Sequence, residues 1–264
     1  VDPRDLHSDS GGSEMLNSLR MLQHDPATEI VTLLSETPAP DAAERVLAQV
    51  RESDKPTVVC FLGLDPRQLW RAGAIPAARL DETALRAAAW VRGWDQALIS
   101  SMLEEQDDEL AHRAGELARR LSSRQQRLTG LFTSKLFLQE AQFMLAGVAG
   151  GAPLRLEAVM DREAQLHRLL HVHGEGQQAI ILLDIVLARD DGSDASQVLA
   201  GILPTQRRGP LVIAHICGGA DDPEAHRSHT DALDSAGIIL TRSNATAARL
   251  AGMVLARQRQ AGSA

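Results

Sequence analysis

What this chain lacks narrows it before any motif is read. It has no tyrosine, and aromatic residues make up 3% of its 264 positions, so its cores must be built from Leu, Ile, Val and Ala. Two cysteines, Cys60 and Cys217, give no disulfide scaffold. Both sit in apolar runs and read as buried free thiols. No stretch reaches the ~18–20 apolar residues of a membrane span, and no secretory apolar region opens the chain. A cytosolic (cytoplasmic) setting is the expectation that remains. A basic excess is also missing. The net charge of −8 argues against a general nucleic-acid binder, which needs cationic surface for phosphates; a local phosphate site stays compatible with it. Val1-Asp2-Pro3 is not an initiator sequence and no complete β-α-β unit precedes Asp5, so the chain reads as part of a longer one.

What is present is a globular composition, 44% hydrophobic and 23% charged, in a length that suits two domains. Apolar residues at 15, 16, 19 and 22 predict a helix over 14–23, ended by His24-Asp25-Pro26. Two continuous apolar runs, 29–35 and 57–63, predict strands buried on both faces, with a helix over 42–53 between them. That order makes the pair parallel. Residues 65–80 read as irregular connection, and 81–121 as helical, weakened at Gly93 and Gly115. The acidic run 104–109 reads as a solvated helix face or turn. Strands are then expected at 127–132, 153–159, 179–186, 210–217 and 236–241, alternating with helices at 134–147, 161–171, 194–203, 223–235 and 244–258. Five strands alternating with five helices make a doubly wound unit. The fold class is therefore α/β: two flavodoxin-like parallel-sheet units joined by a helical spacer. The expected boundaries are 1–80 for a first unit, 81–122 for the spacer, 123–258 for the second unit and 259–264 for a polar tail.

In such sheets ligands bind at the carboxyl ends of strands, where helix N-termini point. Five places qualify. The turn Thr37-Pro38-Ala39-Pro40-Asp41 offers backbone N–H groups to a phosphate or carboxylate, or is plain helix initiation. Thr133-Ser134-Lys135 puts two hydroxyls and a cation at a strand-to-helix turn, or is a plain cap. Asp184 with the turn Asp190-Asp191-Gly192 has carboxylates but not the spacing of a calcium loop. Gly218-Gly219 lets a backbone approach a ligand closely, and Cys217 with His215 raises a thiolate–imidazole pair that one sequence cannot demonstrate. Arg242-Ser243-Asn244 combines a cation with a helix cap. The anion-binding candidates are thus Thr37, Ala39, Asp41, Thr133, Ser134, Lys135, Gly218, Gly219, Arg242, Ser243 and Asn244. No catalytic residue is assigned. No metal site is expected either, since His167, His171 and His173 lack a further ligand.

Several of these segments together resemble one family. Arg4-Asp5-Leu6, Leu22–Glu29, the run Pro38–Leu47 and Lys55-Pro56 resemble the FdrA family of acyl-CoA synthetase-like proteins, related to the succinyl-CoA synthetase α subunit. Gly130-Leu131-Phe132, Leu182–Leu187, Cys217-Gly218-Gly219 with Asp222-Pro223, and Ser243-Asn244-Ala245 with Ala247–Ala251 resemble its carboxy-terminal unit. The resemblance implies a CoA-binding-type Rossmann domain ahead of residue 1, so CoA or a nucleotide would enter through that domain and no cofactor is expected in this segment. It implies partner subunits or a homo-oligomer, and transfer of an acyl or carbamoyl group from an anionic small-molecule donor held at helix N-termini between the two units. It does not extend to the phosphorylated histidine of succinyl-CoA synthetases: Leu62-Gly63-Leu64-Asp65-Pro66 leads on to Trp70–Ala74 without one. Thr133-Ser134-Lys135 stands where the family has a glycine-rich turn. Glu157–Asp161 retains only the Asp of a histidine-containing stretch. Asp190-Asp191 stands where the family has glycines, and two carboxylates there repel a phosphate. The alternative is a structural or regulatory partner subunit that kept the fold and lost the site.

Overall fold

The computed structural model describes residues 5–7, 11–187, 209–218 and 223–262. The chain forms an α/β fold with two parallel-sheet regions, and it divides into two compact units, Val1–Gln106 and Asp107–Ala264.

The first unit holds helix α1 (Ser13–His24), strand β1 (Val31–Ser35), α2 (Pro40–Arg51), β2 (Thr57–Phe61), α3 (Pro66–Arg71), β3 (Ile75–Pro76) and α4 (Leu80–Val91). Its three strands are parallel in the order β1-β2-β3. Central β2 is buried along its whole length. β1 is an edge strand: Val31 and Leu33 face the core while Thr32 and Leu34 face out, which corrects the expectation of burial on both faces. The stretch 65–80, expected to be irregular, is ordered. Asp65 caps α3 by accepting from the Arg67 N–H at 2.9 Å, and Gly73 (φ +75°) ends that helix. Ile75 and Pro76 then pair with Val58 and Val59. Proline is tolerated there because β3 is an edge of two residues.

The helical spacer is two helices, α4 and α5 (Gln96–Ala118). Gly93 (φ +66°) stops α4: the Gly93 N–H donates to Trp90 O at 3.0 Å and the Trp94 N–H to Ala89 O at 2.8 Å. This is the Schellman arrangement, which needs a left-handed residue at that position.

The second unit contains β4 (Arg127–Phe132), α6 (Lys135–Ala146), β5 (Leu154–Ala158), α7 (Arg162–His173), β6 (Gln178–Val186), β7 (Leu211–Cys217), α8 (Pro223–Ser235), β8 (Ile239–Thr241) and α9 (Asn244–Gly262). Helix α9 runs on through positions expected to be a tail. The helix expected at 194–203 lies outside the described residues. All five strands are parallel, in the order β5-β4-β6-β7-β8. One face of the sheet packs Leu128, Phe132, Ile180, Leu182 and Ile213 against α6, α9 and the end of α5. The other packs Leu131, Ile181, Leu183, Ile185 and Val212 against α7 and α8. Alternation along each strand assigns Asp184, His215 and Cys217 to the α6/α9 face. Among the described residues no helix is long and apolar enough to cross a membrane.

Gly130 sits in β4, where an added Cβ would lie 2.7 Å from Leu156 Cδ2 and 2.7 Å from the Phe132 ring. Gly130→Ala is therefore expected to lower unfolding free energy by about 1–3 kcal/mol through overpacking, read as a lower urea midpoint at unchanged m-value. Gly115→Ala, with nothing within 4 Å of its Cβ, should not lower it.

Candidate functional site: the carboxyl edge of the second sheet

The strand order of the second unit reverses at β4: the chain leaves it for β5 on one side and returns to β6 on the other. In open sheets of this kind ligands bind at the carboxyl edge beside such a point. The edge is polar there. Asp184, fully buried at the end of β6, accepts from the Thr133 N–H (2.8 Å) and the Thr133 hydroxyl (2.6 Å) at the end of β4. Gln165, buried on α7, donates through Nε2 to Leu131 O (2.9 Å), Asp184 O (3.2 Å) and Asp184 Oδ1 (3.2 Å). One carboxylate thus joins two strands and a helix. Burial pushes its pKa above the ordinary 3.8, and the bonds from Thr133 and Gln165 partly oppose that rise.

Beside Asp184, in register on β7, lies His215. It is buried, and its ring meets Phe137 of α6 edge-on at 4.9 Å. Two residues on, Cys217 has its thiol pKa pushed up, first by burial and then by the Asp184 charge. A raised pKa disfavours the thiolate, the nucleophilic form of the side chain. Gly218 (φ +103°) follows; a Cβ there would strike Leu187 O at 2.8 Å. Only glycine lets β6 and β7 remain paired to this point, where the Leu187 N–H donates to Cys217 O at 2.9 Å. Gly219 and Asp190–Gly192 lie outside the described residues.

Two helices start at this edge. Helix α9 is capped by Ser243, whose Oγ accepts from the Thr246 N–H at 3.1 Å. Asn244, expected as the cap, instead turns inward. Its Nδ2 donates to Phe137 O (2.9 Å) and Glu140 Oε2 (2.8 Å), tying the first turn of α9 to the first turn of α6. Helix α6 begins differently: Ser134 stands at its N-cap in extended conformation but makes no side-chain cap bond. Its first-turn N–H groups are left without an intrahelical or cap acceptor, with Lys135 exposed at the first helical position and Arg242 exposed ahead of α9.

In the first unit, Thr37 and Asp41 are exposed on the turn into α2. The Ala39 N–H is already engaged, donating to Leu6 O at 2.9 Å, so this expected anion donor is satisfied by the chain itself. Of the eleven expected positions, Thr133, Ser134, Lys135, Gly218, Arg242, Ser243 and Asn244 share the second unit's carboxyl edge. Gln165, Phe137 and Glu140 were not anticipated. Gln165 and Glu140 are polar residues on otherwise apolar helix faces (Gln165 with Leu169 and Val172, Glu140 with Ala141 and Leu145), and that break in periodicity is the signal that marks them. Among the described residues no group of His, Cys, Asp and Glu could hold a metal ion.

Residues 150–254 match the CoA-ligase family model. They span the second unit from the loop before β5 to most of α9. This part of the chain is thus similar to CoA-ligase domains. The uncharacterised protein YahF of Escherichia coli (strain K12) is 25% identical over 292 residues, covering 94% of this chain and 55% of that protein. The chain thus spans about half the length of this curated relative. Among solved structures, PH0766 from Pyrococcus horikoshii OT3 aligns with 93% of this chain and 55% of its own at 10% identity and a TM-score of 0.42. Hypothetical protein TT0462 from Thermus thermophilus aligns with 91% and 67% at 17% identity and a TM-score of 0.28.

The raised pKa of Asp184 carries a stability consequence with a definite sign. Below 3.8 the carboxyl is protonated both folded and unfolded. Between 3.8 and its folded value the native state holds the extra proton, so its contribution to stability falls as pH rises through that window. Asp184→Asn keeps an acceptor for the Thr133 N–H and has no proton to lose. The urea stability of wild type relative to Asp184→Asn should fall on going from pH 4 to pH 7. A difference that stays flat or grows with pH would contradict the assignment.

Proposed function

We propose that this chain is an FdrA-like, acyl-CoA synthetase-type subunit that takes part in acyl or carbamoyl transfer within a multi-subunit complex. In this reading it holds the anionic donor at the start of α6. One observation carries the reading: the first turn of α6 lacks a side-chain cap, bears Lys135, and is tied by Asn244 to the neighbouring start of α9. Open N–H groups and the helix dipole attract an anion, and Lys135 and Arg242 add positive charge beside it. This donor set suits a phosphate or carboxylate group. With no histidine between Leu62 and Pro66 and a Cys217 thiol pKa raised by burial, this reading gives the chain positioning and charge stabilisation rather than a covalent intermediate. The cofactor domain, the partner subunits and the acceptor belong to the same proposal.

A second reading, a partner subunit that kept the fold without the site, rests on Asp184. Its carboxylate already takes both donors of Thr133, so an internal group satisfies part of what a ligand would use.

Titration calorimetry with inorganic phosphate and with carbamoyl phosphate separates the two. Under the first reading wild type binds, and Lys135→Ala and Arg242→Ala each weaken binding about two- to fivefold, the effect of roughly 0.3–1 kcal/mol expected for an exposed charge near a helix end. Absence of binding in wild type, or binding indifferent to both substitutions, supports the second reading.

A further inference from the structure

The second half of α9 borders a cavity away from the carboxyl edge. It measures about 360 Å³ and is lined by Ala111 of α5, Val148 of the loop after α6, and Met253, Ala256, Arg257 and Gln260 of α9. All six residues belong to the second unit. Met253 lies roughly 13 Å along α9 from Asn244, at 1.5 Å of rise per residue. The cavity shares no residue with the start of α6.

Small side chains keep this space open. Ala111 and Gly115 are one turn apart on α5, and nothing lies within 4 Å of where a Gly115 Cβ would be. Gly252 lets Val148 pack directly on α9, since a Cβ there would lie 2.5 Å from Val148 Cγ2. Gly150 (φ +58°) brings the loop against the same helix, its Cβ position 3.6 Å from Ala256 Cβ. Arg259 Nη1 donates to Gly151 O at 3.0 Å and holds the loop there. The apolar walls are thus short side chains and one flexible thioether, Met253.

The lining also sets what fills the cavity. Four of its six residues are apolar, and none is a carboxylate. Arg257 is exposed, and among the described residues it has no ion-pair partner. Gln260, three residues on and so on the same side of the helix, adds an amide donor. The helix dipole favours a cation near the end of α9, but it gives no reason for apolar surface to lie open beside that cation. Apolar walls next to an unpaired guanidinium match a hydrocarbon body with one anionic head, and a guanidinium takes a carboxylate through two parallel hydrogen bonds. The volume lies near the lower end of the ~300–1,000 Å³ of small-molecule sites, which favours a short chain.

We propose that this cavity is a binding site for a small aliphatic carboxylate. The hydrocarbon lies against Ala111, Val148, Met253 and Ala256, and the carboxylate meets Arg257.

The test is titration calorimetry of the full chain with butanoate, hexanoate, octanoate and hexan-1-ol. Wild type is expected to take one equivalent of acid, with affinity rising up to about fourfold per added methylene until the cavity is full. Hexan-1-ol should bind about tenfold more weakly than hexanoate, the effect of losing hydrogen bonds to a charged group. Arg257→Gln should remove that preference and leave hexan-1-ol binding unchanged. Ala111→Leu should fill the cavity and abolish binding of both, with an unchanged far-UV circular dichroism spectrum, since leucine is a good helix former. Arg119→Gln, at an exposed arginine outside the lining, should change nothing. Absence of saturable hexanoate binding in wild type overturns the proposal. So does a stoichiometry above one, hexan-1-ol binding as tight as hexanoate binding, or hexanoate binding indifferent to Arg257→Gln or to Ala111→Leu.

Discussion

A buried carboxylate organises the second unit. Asp184 interrupts an otherwise apolar strand at the centre of the sheet, where an unpaired charge would cost several kcal/mol. Three donors from two other elements offset that cost: the amide and hydroxyl of Thr133 and the amide of Gln165. Each donor is fixed by being needed. Thr133 sets the direction in which the chain leaves β4, and so where α6 begins. Gln165 pins α7 to the same edge while also satisfying Leu131 O and Asp184 O. The arrangement of this edge follows from one side chain that cannot be left unsatisfied.

The same carboxylate shapes the electrostatics around it. It lies beside the start of α6, where its charge opposes an incoming anion and the helix dipole favours one. Burial raises its pKa and so narrows the pH range over which the opposition acts. Its charge also adds to the rise in the Cys217 thiol pKa. The two helix starts are not equivalent: α9 is closed by Ser243, while α6 is open.

The centre of the second sheet was legible because β4, β6 and β7 are buried on both faces and read as largely apolar runs; each falls within a residue of where the pattern puts it. The first sheet was less so. β1 has the same apolar composition as a central strand, yet Leu34 faces outward, because nothing in a short apolar run tells an edge from a centre. β3 was hidden by Pro76, which excludes a central strand but not an edge of two residues. At the site, the cation and hydroxyl positions could be read from strand-to-helix turns. Their partners could not, because a hydrogen bond such as Asn244 to Phe137 O, 107 residues apart in sequence, is set by packing alone. Ser243 and Asn244 are both good caps by residue type, and only the neighbouring α6 decides which one turns inward.

The scarcity of aromatic residues bears on where binding surfaces lie. The expectation that aliphatic side chains build the cores holds: the main cluster of the second unit contains one phenylalanine, Phe132, among Leu, Ile, Val and Ala. None of the three tryptophans is in a core. Trp70 is 72% exposed, and Trp90 and Trp94 are nearly half exposed. A tryptophan can bury about 150–250 Å² and carries an N–H that prefers a partner, so a chain that packs its cores without it yet keeps three on the surface of one unit has placed its largest contact-forming side chains away from its own interior. The second unit's edge is polar and organised around Asp184, while the first keeps its tryptophans exposed.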